Sequence, residues 1–381
     1  MSGPVRYAMV GGGEGAFIGP VHRTAAAIAG NCRLVAGALS SDPDKARRSG
    51  AAIGLPPERS YASWRELLDG ERGRSDGAEF VAIVTPNHVH APVAIAALEA
   101  GFPVLCDKPL ADTLEAAEAI GEAAARTGGL LAVTHTYTGY PMARQARELV
   151  AGGRFGAVRR VAVKYTQGWL AKAEDAAGKQ AEWRVDPERS GLAGAFGDIG
   201  THAFNLVEFV TGEKMTRLAA ELRAAVAGRR LDDDGMALFH LENGGRGTLV
   251  ASQVCTGDAN GLAISVWCEE AGLHWDQEQP NHLRVAPRGK PEEIWSAGAD
   301  RQYLGRPAMG VTRTPSGHPE GYLEAFANIY RDFADAVRGH VPEQPSYASL
   351  ADGIRGMRFI QAAHDSSARG AAWTDIDGGG Q

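Results

Sequence analysis

Three groups of residues in this 381-residue chain have the types and spacing of working chemistry. Asp198 and His202 stand four apart, so on a helix they share one face. A carboxylate so placed orients an imidazole and favours its protonated form. With an ordinary pKa of about 6.5, that imidazole suits a general base. On spacing alone, the commoner reading is a helix N-cap aspartate beside a structural histidine. Lys108 follows the apolar run Pro103–Cys106 and is pinned by Pro109, which predicts an ammonium at the carboxyl end of a strand. A fixed ammonium favours a developing alkoxide and orients a hydroxyl for proton loss; a lone lysine is more commonly a solvated surface group. The third group is the glycine cluster Gly11-Gly12-Gly13-Glu14-Gly15-Ala16-Phe17-Ile18-Gly19. Glycines admit phosphates close to the backbone, and the free N–H groups of a following helix favour negative charge.

Elements must hold these groups. Val5–Val10 predicts a buried strand ending at the glycines, followed by an Ala-rich helix from His22 to Ala29. Further strands over Leu34–Leu39, Phe80–Val84, Pro103–Cys106 and Leu130–Val133 alternate with helices from Asp44 to the Gly50 region and over Trp64–Leu68, Pro92–Ala100 and Thr113–Thr127. Alternation of this kind predicts an α/β domain with a doubly wound parallel sheet. Gly11, Ser40, Thr85, Asp107 and Thr134 fall just after strands, where ligands gather in such sheets.

Beyond about residue 138 the pattern changes. A helix over Pro141–Ala151 and a strand over Val158–Tyr165 precede a helix over Asp198–Val210. Strands then follow one another over Leu218–Val226, Met236–Glu242, Gly247–Val254, Ala263–Cys268, Leu273–Asp276 and Leu283–Val285, and helices Glu320–Val337 and Leu350–His364 close the chain. Successive strands predict an α+β domain with an open, mostly antiparallel sheet. The expected division is 1–138 and 139–370, with a loose Gly378-Gly379-Gly380 tail.

Composition narrows the function classes. A net charge of −7 argues against a nucleic-acid surface, and no apolar run approaches the ~20 residues of a membrane span. Without a secretory signal pattern at the N-terminus, the cytoplasm is the expected compartment. Cys32, Cys106, Cys255 and Cys268 are scattered, which predicts neither disulfides nor a zinc site. His88-x-His90 lacks a third ligand, and Asp232-Asp233-Asp234 reads as a solvated turn, so no metal is expected.

Four motifs in order, Ile18-Gly19-x-x-His22, Thr85-Pro86-Asn87-x-x-His90, Asp107-Lys108-Pro109-Leu110 and Gly197-Asp198-Ile199-Gly200-Thr201-His202, carry a resemblance. They resemble the glucose–fructose oxidoreductase / inositol dehydrogenase / MocA (Gfo/Idh/MocA) family of NAD(P)-dependent sugar and polyol dehydrogenases, over nearly the whole chain. The resemblance implies an N-terminal Rossmann domain and a C-terminal sheet domain often used to form homo-oligomers, here a dimer or tetramer. It places Lys108 beside the nicotinamide and the reacting hydroxyl, makes His202 the proton acceptor and gives it Asp198 as companion. The expected cofactor contacts are Gly11, Gly13, Phe17, Ile18, Ser40, Ser41, Lys45, Thr85, Pro86, Asn87, His90 and Lys108.

Two departures qualify it. The third fitting glycine is Gly19, so Glu14-Gly15-Ala16 behaves as a three-residue insertion and Glu14 must point away from the phosphates. Where NAD sites usually place an acidic residue, this chain has Ser40 and Ser41, with Asp42 two residues late. Lys45, Arg47 or Arg48 can then reach a 2′-phosphate, and serines can equally bond a ribose, so NAD and NADP both stay open. Expected sugar or polyol contacts are Tyr137, Gln167, Trp169, Arg184 and His318, with Lys179 and Arg184 suited to an anionic substituent. The main reading is a dehydrogenase of a secondary hydroxyl. The alternatives are a redox-assisted glycosidase and a non-catalytic nucleotide or sugar sensor.

Overall fold

Val5–Gly11 (β1), Cys32–Ala38 (β2), Phe80–Val84 (β3), Val104–Cys106 (β4) and Leu131–Val133 (β5) form one sheet in the computed structural model, which describes residues 3–177 and 179–378. The order runs β5-β4-β3-β1-β2, every pair parallel, with the two-residue strand Ala348–Ser349 antiparallel at the β5 edge. β3 is buried at every residue, as a strand covered on both faces must be. From β1 the chain steps outward to β2 on one side and β3 on the other. In open α/β sheets ligands bind at such a switch point, here the carboxyl ends of β1 and β3.

The chain clusters into two units, and both are discontinuous. One holds the residues up to His135 together with Phe326–Ile354; the other holds Thr136–Ala325 and the chain from Arg355 on. Phe326–Ile354 thus returns to the first unit from beyond residue 138. The physical reason is aromatic packing. Tyr330 and Phe333 are fully buried in the first unit, and Phe333 meets Phe80 edge-on at 5.2 Å beside the stacked Tyr7–Phe80 pair.

In the second unit, Val158–Thr166 (β6), Met215–Arg223 (β7), Asp234–Leu241 (β8), Arg246–Ser252 (β9), Gly261–Cys268 (β10), Ala271–Asp276 (β11), His282–Pro287 (β12) and Glu293–Ser296 (β13) build a nine-stranded sheet, completed by Thr374–Asp375 beside β7. Its order is β13-β12-β11-β10-β6-β9-β8-β7, antiparallel except at β6–β9. Register puts Tyr165, Ala251, Gly235 and Leu262 on the face that helix Thr201–Thr211 covers. Met236 and Leu238, each 53% exposed, lie on the opposite face with Trp267.

Candidate active site

Glycine requirement at the end of β1 is steric. A Cβ on Gly11 would lie 2.7 Å from the Val84 carbonyl oxygen, and Gly12 and Gly19 pack so closely that neither tolerates one. Gly12, which the spacing argument passed over, is thus the partner of Gly19. Gly13 donates to the Leu39 carbonyl at 3.0 Å, and exposed Glu14 sits in the turn closed by Ala16 N to Gly13 O, as the insertion requires. Helix α1 (Ile18–Ala29) begins four residues before His22 and has no side-chain cap; Phe17, at its start, is 60% exposed. Its first N–H groups thus have no capping side chain, and the Thr85 hydroxyl at the end of β3 is buried without a hydrogen-bond partner. A glycine cradle, an uncapped helix start and an orphaned hydroxyl fit a dinucleotide.

At the end of β2, Ser40 Oγ accepts from Asp42 N at 3.1 Å, while the Asp42 carboxylate accepts from Lys45 N at 2.7 Å. Asp42 is therefore the N-cap of α2 (Pro43–Ala52) and is spent there. Ser41 is exposed and Lys45 half-buried; Arg47 pairs with Asp44 on the exposed face. Pro86 is half-buried and Asn87 buried.

Asp107 organises the Lys108 turn. Its Oδ1 accepts from Lys108 N at 2.9 Å and from the Thr134 hydroxyl at 2.8 Å, and its Oδ2 faces His22 Nε2 at 3.9 Å. Burial raises the Asp107 carboxyl, but His22, Lys108 and Thr134 together outweigh it and hold it well below the usual carboxylate range. His22 is itself buried, with Nδ1 2.8 Å from the Tyr330 hydroxyl. His90 lies between two turns. Completely buried, it sits 2.9 Å from both the Pro109 and the Thr85 carbonyls and so braces two strand-end turns.

His135, at the end of the same sheet, is buried, and burial with the Lys108 ammonium pushes its imidazole down to about 4. The unfolded chain protonates this group near 6.5, the folded chain only near 4. Stability from the neutral ring is thus present above pH 6.5 and lost as pH falls toward 4. His135→Gln is expected to remove roughly 2–3 kcal/mol of the stability lost between pH 7 and 4.5, read from urea midpoints.

In the second unit, Asp198 lies in a π-helical turn, Phe196–Gly200, that runs into helix Thr201–Thr211 bearing His202. The sequence predicts one regular helix over Asp198–Val210; wide turns inside helices are characteristic of functional sites. The turn is anchored from β8's approach. Asp232 Oδ1 accepts from Gly194 N at 2.7 Å and Oδ2 from Phe196 N at 2.8 Å. Asp233, buried, accepts from Ala225 N, Val226 N and Arg229. These aspartates are structural anchors, not a solvated turn: they accept from the backbone N–H groups of Gly194, Phe196, Ala225 and Val226. Among the described residues no cluster of metal-ligating side chains occurs.

The Asp198 carboxylate accepts from Arg184 Nε at 3.2 Å and Gln253 Nε2 at 2.9 Å. His202 is buried, with Tyr137 edge-on at 4.8 Å and Tyr165 at 6.1 Å between ring centres. The two phenols bond each other, and Tyr165 donates to Asn260 Oδ1 at 2.7 Å. Asn260 donates in turn to Gln277 at 2.9 Å, and Gln277 to the Tyr140 hydroxyl at 3.2 Å. Gln167 donates to Asn260 at 2.8 Å and accepts from the Trp169 indole at 2.9 Å.

Sequence reasoning missed Tyr165, Gln253, Asn260 and Gln277. Gln253 and Tyr165 stand at strand ends, the signal that did select Thr85 and Lys108; Asn260 is disguised by its turn-like surroundings, Asp258-Ala259-Asn260-Gly261. His318 is exposed, held by Ser316 O at 3.3 Å, and precedes a helix that starts at Tyr322 instead of Glu320. The side chain of Lys179 lies outside the described residues, as do Gly379 and Gly380.

Comparison with known proteins gives the class. Residues 5–135 match an oxidoreductase family with an NAD-binding Rossmann fold, and residues 143–274 match the GFO/IDH/MocA C-terminal domain. The structure of an inositol dehydrogenase homolog from Azotobacter vinelandii, complexed with NAD+, superposes with a TM-score of 0.94 at 35% identity, covering 98% of each chain. An uncharacterized oxidoreductase of Bacillus subtilis, YfiI, is 32% identical over 99% of this chain and 98% of its own length. Levoglucosan dehydrogenase from Pseudarthrobacter phenanthrenivorans is 26% identical over 97% of each. The chain is an NAD(P)-dependent oxidoreductase. It belongs to the Gfo/Idh/MocA family.

Proposed function

We propose that this enzyme moves a hydride between a nicotinamide dinucleotide and a secondary hydroxyl of a sugar, polyol or glycoside. What supports the reading is a turn-held lysine in the first unit and, in the second, a buried imidazole four residues from a hydrogen-bonded carboxylate, in a chain of this family. The dinucleotide, when bound, supplies the hydride acceptor or donor. Gly11, Gly13, Phe17, Ile18, Ser40, Ser41, Lys45, Thr85, Pro86, Asn87 and Lys108 are assigned to holding it, with His90 as a brace. In oxidation, an imidazole nitrogen of His202 takes the hydroxyl proton and Asp198 favours the resulting cation. Lys108 donates to the forming oxyanion. Reduction reverses these moves.

Tyr137 and Trp169 offer rings to the apolar faces of a carbohydrate, and Gln167 with its amide partners offers donors and acceptors to hydroxyls. Exposed Met236, Leu238 and Trp267 on one sheet face support a homo-oligomer formed there.

The test is a panel of sugars, polyols and glycosides with NAD and NADP separately, on wild type and Ser40→Asp. Net NAD(P)H accumulation is expected. A carboxylate at position 40 repels a 2′-phosphate, so Ser40→Asp is expected to cut kcat/KM for NADP about tenfold or more and spare NAD. Release of an aglycone without net reduction would instead mark a redox-assisted glycosidase.

A further inference from the structure

Arg184 has the character of a cation for an anionic substrate, yet the structure gives it a partner of its own. Its Nε donates to Asp198 Oδ2 at 3.2 Å, with the two side chains 20% and 15% exposed. The guanidinium lies 4.4 Å from the Trp183 ring centre and 6.0 Å from that of Trp169. Gln253, buried, donates to the same Asp198 oxygen at 2.9 Å and lies 3.5 Å from Gln167 Oε1. Gln167 accepts from the Trp169 indole, and the circuit closes on itself: indole, amide, amide, carboxylate, guanidinium, indole.

Two donors on one oxygen, one of them permanently charged, favour the ionised carboxylate and fix its plane. We propose that Arg184 is a positioning residue which, with Gln253, holds the Asp198 carboxylate ionised and in one orientation, and thereby sets the proton affinity of His202. This rests on His202 as the proton acceptor. Its physical logic is a balance of charge. Asp198, four residues from His202, favours the imidazolium. The guanidinium beside it offsets part of that charge, so the ring holds its proton less tightly than the carboxylate alone would make it, while the carboxylate still stabilises the cation that forms. It also withdraws Arg184 from anion recognition, which favours uncharged sugars or polyols.

Other titratable groups face the ring. Tyr137, from the turn Thr136–Gly139, and Tyr165, from β6, are both raised above the ordinary phenol range by burial and stay neutral. Glu208, paired with Arg355, lies toward the far end of helix Thr201–Thr211, where Arg147 of helix Pro141–Ala151 bonds the Phe209 carbonyl.

The test is a histidine-selective NMR titration of the cofactor-free protein, with His202 assigned through His202→Asn, beside pH profiles of turnover. In Arg184→Gln the His202 pKa is expected to rise by about half a unit to one unit. The acidic limb of kcat/KM for oxidation moves up equally, and kcat falls about tenfold with KM little changed. Arg184→Lys keeps the charge and so restores the limb. Gln253→Leu removes a neutral donor and lowers kcat without moving it. An unchanged His202 titration in Arg184→Gln, or a rise in KM alone, overturns the proposal. If Arg184→Gln does not fold, Arg184→Lys decides: lower kcat at an unshifted His202 pKa supports it, and raised KM at unchanged kcat overturns it. The NMR arm needs no turnover, so a wild type inactive on every polyol would sink the proposed function without touching this result.

Discussion

His202→Asn is expected to lower kcat by about three orders of magnitude, within the range that loss of a positioned proton acceptor produces. Asparagine keeps the size and a polar edge for the space beside Tyr137 and Tyr165 but cannot take up a proton near neutrality. The residue lies at the start of helix Thr201–Thr211, whereas the glycine loop and Thr85 belong to the other unit. Dinucleotide affinity, measured by calorimetry, is therefore expected to stay as in wild type. Single-turnover stopped-flow on a responsive polyol separates the effect on the chemical step from release of product. A variant with near-normal turnover would remove His202 from proton transfer.

Lys108→Met is expected to cost about 10²–10³ in kcat, the scale of one lost oxyanion donor. The substitution isolates the ammonium. Asp107 holds this residue through its backbone N–H, a bond that methionine preserves, and the half-buried stem keeps a similar apolar length. The measurement is kcat and KM in the oxidative direction, with circular dichroism and thermal melting to show the turn intact. Survival of wild-type kcat would return Lys108 to the surface-lysine reading that its type alone suggests.

Alternating strands and helices made the first sheet legible, because a strand buried on both faces, such as Phe80–Val84, is an uninterrupted apolar run. Short edge strands were less so. Glu293–Ser296 is half-exposed and too brief to show a period. The widened turn at Phe196–Gly200 leaves no trace in spacing, since Asp198 and His202 remain four apart whichever hydrogen bonds the backbone makes. Asp232 and Asp233 misled for a related reason. A sequence shows acidic residues but not the unmet N–H groups of Gly194, Phe196, Ala225 and Val226 that they serve. Candidate site residues at strand ends were legible. The amide network through Gln253 and Asn260 was not, because it depends on which strands β6, β9 and β10 neighbour. Nor does an amphipathic helix such as Tyr322–Val337 declare which core it completes.

Tyr330 and Phe333 emerge from the ribosome nearly 200 residues after His135, although they finish the hydrophobic interior around Phe80. At translation speeds of about 5–20 residues per second, the nascent nucleotide-binding half waits on the order of ten to forty seconds with that aromatic surface uncovered. A gene fragment stopped at residue 138 would make the exposure permanent, so an aggregating product, and not a small soluble binder, is what such a fragment should yield.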